Sequence, residues 1–309
     1  MKKTCSEATL TNNSAQTHAD SSDSTSSSDS SESGNKHNAY NVLNELLKEE
    51  EITLYNLPEY YDIALSRDVS GEIKFYIDCF RKYCSFDVKT VLEPACGSGV
   101  FLVNFPKYGC NITGYDISPK MVEYAEERIE KARCSDRAKV LLGDMVTMKF
   151  NPKFDAAITP LSSLGYLRSD EEIISHLRAM SESLRKGGLY IVELSCACDD
   201  INNEKTPDET WFAERDGIKI EATWRPYYYD KENKVRHIEF RMKGQDNGRV
   251  FEFQEEHKLR LWFYEDFKKL TQEAGFRIEV IYNQEYQLVS KDCRITGETG
   301  ALYYVLVNE

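Results

Sequence analysis

Val91-Leu92-Glu93-Pro94-Ala95-Cys96-Gly97-Ser98-Gly99 is a short apolar run that meets an acid and a proline and then breaks into two glycines one residue apart. The apolar half has the length and character of a buried strand, and the glycine half reads as a turn that opens a helix. Gly97 and Gly99 matter because a backbone without Cβ can pass close beneath a ligand. Taken alone, such a turn also serves plain strand-to-helix connections.

Working outward, strand-like and helical patterns alternate. Strands are expected at Thr90 to Leu92, Asn111 to Tyr115, Lys139 to Leu142, Phe154 to Thr159 and Leu189 to Leu194. Helices are expected from Gly99 to Phe105, Pro119 to Arg133 and Asp170 to Leu184. That regularity means parallel βαβ units, hence an α/β fold with an open sheet and helices on both faces. Two helices precede it, one marked by Val42, Leu43, Leu46 and Leu47 and one by Ile73, Tyr76, Ile77 and Phe80.

After Ser195 the pattern changes. Runs at Ile218 to Trp224, Val235 to Met242 and Val250 to Phe263 are separated by Asp230-Lys231-Glu232-Asn233 and Gly244-Gln245-Asp246-Asn247-Gly248, which are turn sequences. They predict an inserted antiparallel meander. A helix from Tyr264 to Ala274 stops at Gly275, and strands Phe276 to Tyr282 and Leu302 to Val307 follow. The chain therefore divides into a Ser/Asp-rich disordered tail (1–38), N-terminal helices with a cofactor-binding core (39–195), a β insertion serving as substrate lid or dimer surface (196–263), and a closing helix with two strands (264–309).

Two acids give the glycine turn its meaning. Asp116 ends the second strand seventeen residues beyond Gly99, where a carboxylate can accept both hydroxyls of a ribose. Asp144 ends the third strand, where it can accept an exocyclic amine while Met145 packs on a ring. Glycine turn and Asp116 alone would equally suit a nicotinamide-dependent oxidoreductase. The third glycine of that fingerprint is missing, because its position holds Leu102.

The ordered set Glu93 to Gly99, Asp116, Gly143-Asp144-Met145, Phe154 to Ile158 and Leu184-Arg185-Lys186-Gly187-Gly188-Leu189 resembles the motifs of class I S-adenosylmethionine-dependent methyltransferases. The resemblance implies a Rossmann-like seven-stranded sheet and S-adenosyl-L-methionine as cofactor. It implies that Glu93, Ala95, Gly97 and Gly99 cradle the methionine part, that Asp116 with Ile117 binds ribose, and that Asp144 with Met145 binds adenine.

Within that family the chain is similar to small-molecule N-methyltransferases that dimethylate aminosugars or methylate glycine. Tyr60-Tyr61-Asp62-Ile63-Ala64, Leu161 to Leu167 and Gln254-Glu255-Glu256-His257-Lys258-Leu259-Arg260 carry the likeness. It implies that Leu161 lies beside the cofactor's methyl group and that Tyr166 faces substrate where some relatives have His. Tyr61 is expected to fold over the cofactor, and His257 to project into the substrate cavity with Arg260 as an anion clamp. Trp224-Arg225-Pro226-Tyr227-Tyr228-Tyr229 invites reading as an aromatic cage, with a packed strand edge as the alternative.

Charge narrows the partner. Fifty-two acidic against 39 basic side chains leave a net charge of -13, which repels phosphate backbones and argues for a small molecule over nucleic acid. Thr159-Pro160-Leu161-Ser162 also lacks the Asn/Asp-Pro-Pro-aromatic loop that goes with methylation of exocyclic amines on bases. The start has no apolar segment behind Lys2-Lys3, and no run nears the roughly 18 apolar residues of a membrane span, so a cytoplasmic protein is expected. Nine scattered cysteines read as reduced thiols, and Cys196-Ala-Cys198 lacks the second Cys/His pair a metal site needs. A homodimer through the meander and a catalytically silent cofactor-binding partner protein are further readings.

Overall fold

The computed structural model describes residues 53–197, 208–289 and 300–309. The Ser/Asp-rich tail, the helix around Val42 to Leu47 and Cys198 lie outside the described residues. Two helices, α1 (Pro58–Ala64) and α2 (Ser70–Tyr83), lead into the core. There β1 (Thr90–Pro94), β2 (Asn111–Asp116), α3 (Pro119–Lys131), β3 (Ala138–Leu142), β4 (Phe154–Thr159), α4 (Asp170–Ser183) and β5 (Leu184–Ala197) follow in turn.

Next come β6 (Glu209–Arg215), β7 (Ile218–Asp230), β8 (Val235–Asp246), β9 (Arg249–Arg260) and the two-residue β10 (Trp262–Phe263). The chain closes with α5 (Tyr264–Glu273), β11 (Phe276–Tyr282) and β12 (Ala301–Asn308). The main sheet runs β11-β12-β5-β4-β1-β2-β3, so chain order reverses at β1, with β2 on one side and β4 on the other. Strands β1 to β5 pair in parallel, and β12 lies antiparallel to both β5 and β11. In such a sheet the crevice at the reversal opens beyond the carboxyl ends of the strands, which places a ligand over Pro94 and Thr159.

Both faces of the sheet are covered, as its near-continuous apolar strands require. Val91 and Ile112 pack with Ile73, Tyr76 and Phe101 on one side, while Leu92 and Tyr190 pack with Ile173, Leu177 and Phe267 on the other. Helix α4 starts cleanly because Ser169 and Glu172 form a capping box. Among the described residues, no helix is long and apolar enough to cross a membrane.

Two expectations need correction. Residues from Gly99 to Phe105 do not form an α-helix: turns lead to a 3-10 segment, Phe105–Tyr108. Two helix-like bonds form there, Val103 N to Gly99 O at 3.4 Å and Phe105 N to Phe101 O at 2.9 Å. Pro106, with no N–H, cannot extend them. The insertion has four strands in the order β6-β7-β8-β9, not three. Glu209 to Arg215, with charges at both ends of Thr210-Trp211-Phe212-Ala213, is an edge strand that pairs on one side only and carries exposed side chains. Trp262 and Phe263 leave the insertion and pair with β5.

Alternation along the insertion strands sends Ile218, Ile220, Ala222, Phe240, Met242, Phe251 and Phe253 to one face. That face packs on Leu54, Leu57, Tyr60 and Ile63, so the N-terminal segment is held between the insertion and the core. Trp211 Nε1 adds a hydrogen bond to the Ala64 carbonyl at 2.6 Å.

Candidate active site

The loop after β1 runs through left-handed backbone at Ala95 (φ 53°), Gly97 (φ 52°) and Gly99 (φ 73°). A Cβ at Gly99 would stand 2.9 Å from the Ala125 Cβ of α3, so the glycine lets the turn lie against that helix. A Cβ at Gly97 would stand 3.4 Å from the Tyr61 hydroxyl. The bare backbone and the tyrosine thus face each other across a narrow gap.

Asp116 fixes the turn. Its Oδ2 accepts the Gly97 N–H and its Oδ1 the Ser118 N–H, each at 2.9 Å. The two oxygens offer about four acceptor positions, and with the Ile117 N–H also acting on the carboxylate at least one is left for a further donor. Burial raises the Asp116 pKa, and the backbone N–H bonds from Ser118 and Gly97 oppose that shift. At the end of β3, Asp144 Oδ1 accepts the Val146 N–H at 2.8 Å, which orients the carboxylate.

A cavity of about 320 Å³ collects Tyr61, Ala95, Gly97, Asp116, Ile117, Asp144, Met145 and Tyr166. Ile117 is 70% exposed, an apolar side chain left open beside the carboxylate that would hold a ribose. A smaller cavity of about 60 Å³ continues past Tyr61, Ala95 and Ser163 to Glu93, Arg67, Ser98 and Leu161. Glu93 is 1% exposed, and its Oε2 has no hydrogen-bond partner. Burial, then Glu72, raise its pKa well above the usual carboxylate value against the pull of Arg67. An orphaned carboxylate oxygen in a closed space is costly unless a donor arrives.

Leu161 and Ser162 both hold left-handed backbone, φ 55° and 54°. The Leu161 N–H donates to Glu193 Oε2 at 2.7 Å, which ties this loop to β5. On the opposite wall, the Tyr55 hydroxyl donates to the Tyr166 hydroxyl at 2.5 Å, and Tyr166 Oη meets His257 Nδ1 at 3.1 Å. His257 is buried under Trp224, whose ring lies nearly parallel to it at 5.6 Å between centroids. Burial lowers the His257 pKa to about 4 and pushes the Tyr166 phenol up to about 12, so both are neutral near pH 7.

The structure therefore gathers Tyr61, Glu93, Ala95, Gly97, Asp116, Ile117, Asp144, Met145, Leu161 and Tyr166 around two joined cavities, with His257 directly behind Tyr166. Gly99 sits beneath them, packed on α3. Arg260 is elsewhere. Its guanidinium pairs with Asp170, donates to the Arg168 carbonyl and covers the Trp262 ring at 4.3 Å. It braces the start of α4 in place of clamping an anion. The aromatic run is no cage either: Trp224 faces His257, Tyr229 is buried beside Leu261, and Tyr227 and Tyr228 are half exposed beyond a register shift at Pro226.

Tyr55, Arg67 and Glu193 were not legible as site residues, since each reaches the site through contacts distant in sequence. Asp62 is the other unforeseen center. Its carboxylate is 5% exposed and receives Ser98 Oγ at 2.8 Å, Tyr124 Oη at 3.1 Å, Arg215 Nη1 at 2.6 Å and Arg128. Burial raises its pKa, but Arg128, Arg215 and Ser98 outweigh that and hold the group below the usual carboxylate value. The acid joins α1, the glycine turn, α3 and the insertion at one point.

Residues 91–188 match the family model described as methyltransferase domain. This segment is a class I methyltransferase domain. The chain is 23% identical over 232 residues to the dTDP-3-amino-3,4,6-trideoxy-alpha-D-glucopyranose N,N-dimethyltransferase of Streptomyces venezuelae, covering 75% of this chain and 93% of that one. Among solved structures, Streptomyces venezuelae DesVI superposes with a TM-score of 0.67 at 21% identity, over 84% of this chain and 100% of the other. CalS10, an amino pentose methyltransferase from Micromonospora echinaspora, gives 0.63 at 18% identity, over 85% and 100%. Both likenesses extend the shared fold well beyond the matched domain.

The cofactor of the methyltransferase domain is S-adenosyl-L-methionine, and the residues present fit it. Asp116 keeps acceptor capacity for a ribose hydroxyl, and Ile117 and Met145 offer apolar cover for a base. The unpartnered Glu93 oxygen suits the ammonium of a methionine moiety, and the Arg67 guanidinium lines the same space.

Proposed function

We propose that the protein methylates an amine on a small molecule, with an aminosugar as the leading acceptor class. The reading rests on the larger cavity, where a cofactor cradle at Gly97, Asp116 and Asp144 faces a neutral Tyr166 backed by His257 and walled by aromatic rings. It is supported by the aminosugar N,N-dimethyltransferase likeness and by the acidic chain, which disfavors a phosphate backbone. The cytoplasm as its location and a homodimer through the insertion belong to the same proposal.

The bound cofactor supplies a sulfonium methyl open to in-line displacement. The chain supplies position and dryness. Tyr61 and the glycine turn close over the cofactor gap, Leu161 sits on a loop pinned by Glu193, and Tyr166 presents a phenol oxygen to the acceptor side. Holding the two reactants in register while excluding water can account for most of the acceleration. An amine attacks through its neutral form, so a buried, uncharged wall favors the reactive state.

The test is to incubate the full chain with labeled S-adenosylmethionine and a panel of dTDP-aminosugars, simple amines and alcohols, with a cell extract alongside, and to weigh the labeled products. A methylated amine is expected. Product only on oxygen, or on nucleic acid, would discard the reading. Cofactor binding without turnover of any extract component would favor the silent-partner alternative.

A further inference from the structure

We infer that His257, backed by Glu255, fixes Tyr166 as a one-sided hydrogen-bond acceptor, so that the acceptor molecule is selected through an N–H it donates to the Tyr166 oxygen. This rests on the amine reading above and adds to it a positioning role for His257, Glu255 and Tyr55.

Tyr55 Oη donates to Tyr166 Oη, which occupies one of the two acceptor positions on that oxygen. The hydrogen of Tyr166 is left to find a partner, and His257 Nδ1 stands 3.1 Å away. Which ring nitrogen carries the proton is decided from behind. His257 Nε2 is buried, makes no hydrogen bond and faces Glu255 Oε2 at 3.8 Å.

A bare Nε2 lone pair would oppose a carboxylate, whereas an Nε2–H presents a positive end to it. Glu255 cannot swing away, because its Oε2 also accepts the Leu54 N–H at 2.7 Å. The ring proton therefore sits on Nε2, Nδ1 accepts from Tyr166, and the Tyr166 hydrogen points away from the cavity. One acceptor position remains on Tyr166, and Tyr166 is 37% exposed among the residues lining the larger cavity.

The groups around the ring keep it in that state. Tyr55 and Tyr166 reach it from the 3-10 turns Leu54–Asn56 and Ser163–Tyr166, and Trp224 and Phe240 close it from β7 and β8. Glu255 is the charged side chain set against it from its own strand. Burial holds the imidazole neutral near pH 7, so it acts as an acceptor and not as a competing cation.

The consequence is a preference readable without turnover. A nitrogen with at least one hydrogen, neutral or charged, can donate to Tyr166, and a fully substituted nitrogen cannot. One hydrogen bond of about 1.4 kcal/mol corresponds to about tenfold in affinity.

The full chain carrying 15N-labeled histidine, with S-adenosylhomocysteine added, is observed by NMR at pH 7 and titrated with methylammonium and with tetramethylammonium. The Nε2–H tautomer of His257 is expected in the starting spectrum. Methylammonium should move the Nδ1 resonance at about tenfold lower concentration than tetramethylammonium. Tyr166→Phe should erase the preference while the tautomer bias toward Nε2–H, set from behind by Glu255, persists. Glu255→Gln should weaken the bias, and His257→Gln, whose amide oxygen can still accept from Tyr166, should retain part of the preference.

An Nδ1–H tautomer, or equal response to the two cations, overturns the inference. So does Tyr166→Phe if it alters the response to both cations equally, as a packing role would. Failure of the methylation assay leaves this readout intact, so the two readings fall separately.

Discussion

Most of the cofactor side of the cavity is assembled within one stretch of chain, from Glu93 to Met145, and mostly by backbone: left-handed turns, strand ends and N–H groups gathered by Asp116, with Tyr61, Arg67 and Leu161 added from outside it. The acceptor side is assembled by side chains from opposite ends of the protein. Tyr55 meets Tyr166 across 111 residues, Tyr166 meets His257 across 91, and Glu255 reaches the Leu54 N–H across 201. A site built from local backbone geometry must reappear wherever the same cofactor is bound in the same way. A site built from distant side chains can change with the strands that carry it.

Breaking the joint between the two sides should have the largest effect. Asp62→Ala leaves Arg128 and Arg215 without their shared carboxylate and removes the partner of Ser98. A loss of about 3 kcal/mol is expected, toward the low end for a broken buried pair because both arginines are partly exposed. Urea unfolding measures it. A change below about 0.5 kcal/mol would mean that the insertion and core are held together by apolar packing alone.

Next in size is Asp116→Ala, which strips the acceptor from two backbone N–H groups and from the cofactor's ribose. S-adenosylhomocysteine should bind about 100-fold more weakly by calorimetry, the scale of a charge-assisted hydrogen bond. Asn at this position keeps one acceptor oxygen and should fall between. Unchanged affinity in the Ala variant would remove Asp116 from the cofactor site.

Gly99→Ala should cost about 1–3 kcal/mol, since it adds a Cβ 2.9 Å from Ala125 at φ 73°. The variant probes the cofactor side without touching the acceptor side. Thermal unfolding should register it, while the methylammonium preference of the protein that remains folded should not change.

The smallest effect is a slope. His176, fully buried against the Met145 carbonyl and Tyr190, has its pKa lowered to about 4 by burial, as does His257. A histidine depressed in the folded state contributes stability that is complete above its unfolded pKa of about 6.5 and is lost as pH falls toward 4. His257→Gln should therefore flatten the pH dependence of stability between those values. Buried Glu93, Asp116 and Glu193, whose pKa values are raised, act in the opposite sense, so the comparison is between variant and parent, not with a flat line. An unchanged slope would mean that His257 is not held neutral by burial.

The same contrast explains what was readable. The parallel core, and the gathering of the glycine turn and strand-end acids around one cavity, were legible because periodicity, glycine and strand-end acids are local signals, and all of them fell on one edge of the sheet. The helix drawn from Gly99 to Phe105 failed because apolar spacing does not report the left-handed Gly99 or the Asn104 side chain, whose Nδ2 donates to the Val100 carbonyl at 2.7 Å while its backbone N–H turns to Phe101. Strand β6 stayed hidden because an edge strand tolerates charges on both faces. Arg260 was misread for a related reason: a cation on an insertion strand looks the same in sequence whether it faces a ligand or Asp170. Tyr55 gave no signal, since its meaning depends on which turn the insertion closes upon.

Asp62 has a further consequence for how such a protein could be re-engineered. The insertion resembles an exchangeable cartridge, plugged onto a cofactor engine through an apolar face that many sequences could satisfy. Arg215 is its keyed pin: a replacement cartridge that fills the cavity with new side chains but omits the pin would leave the socket, Asp62, bonded only from the engine's side.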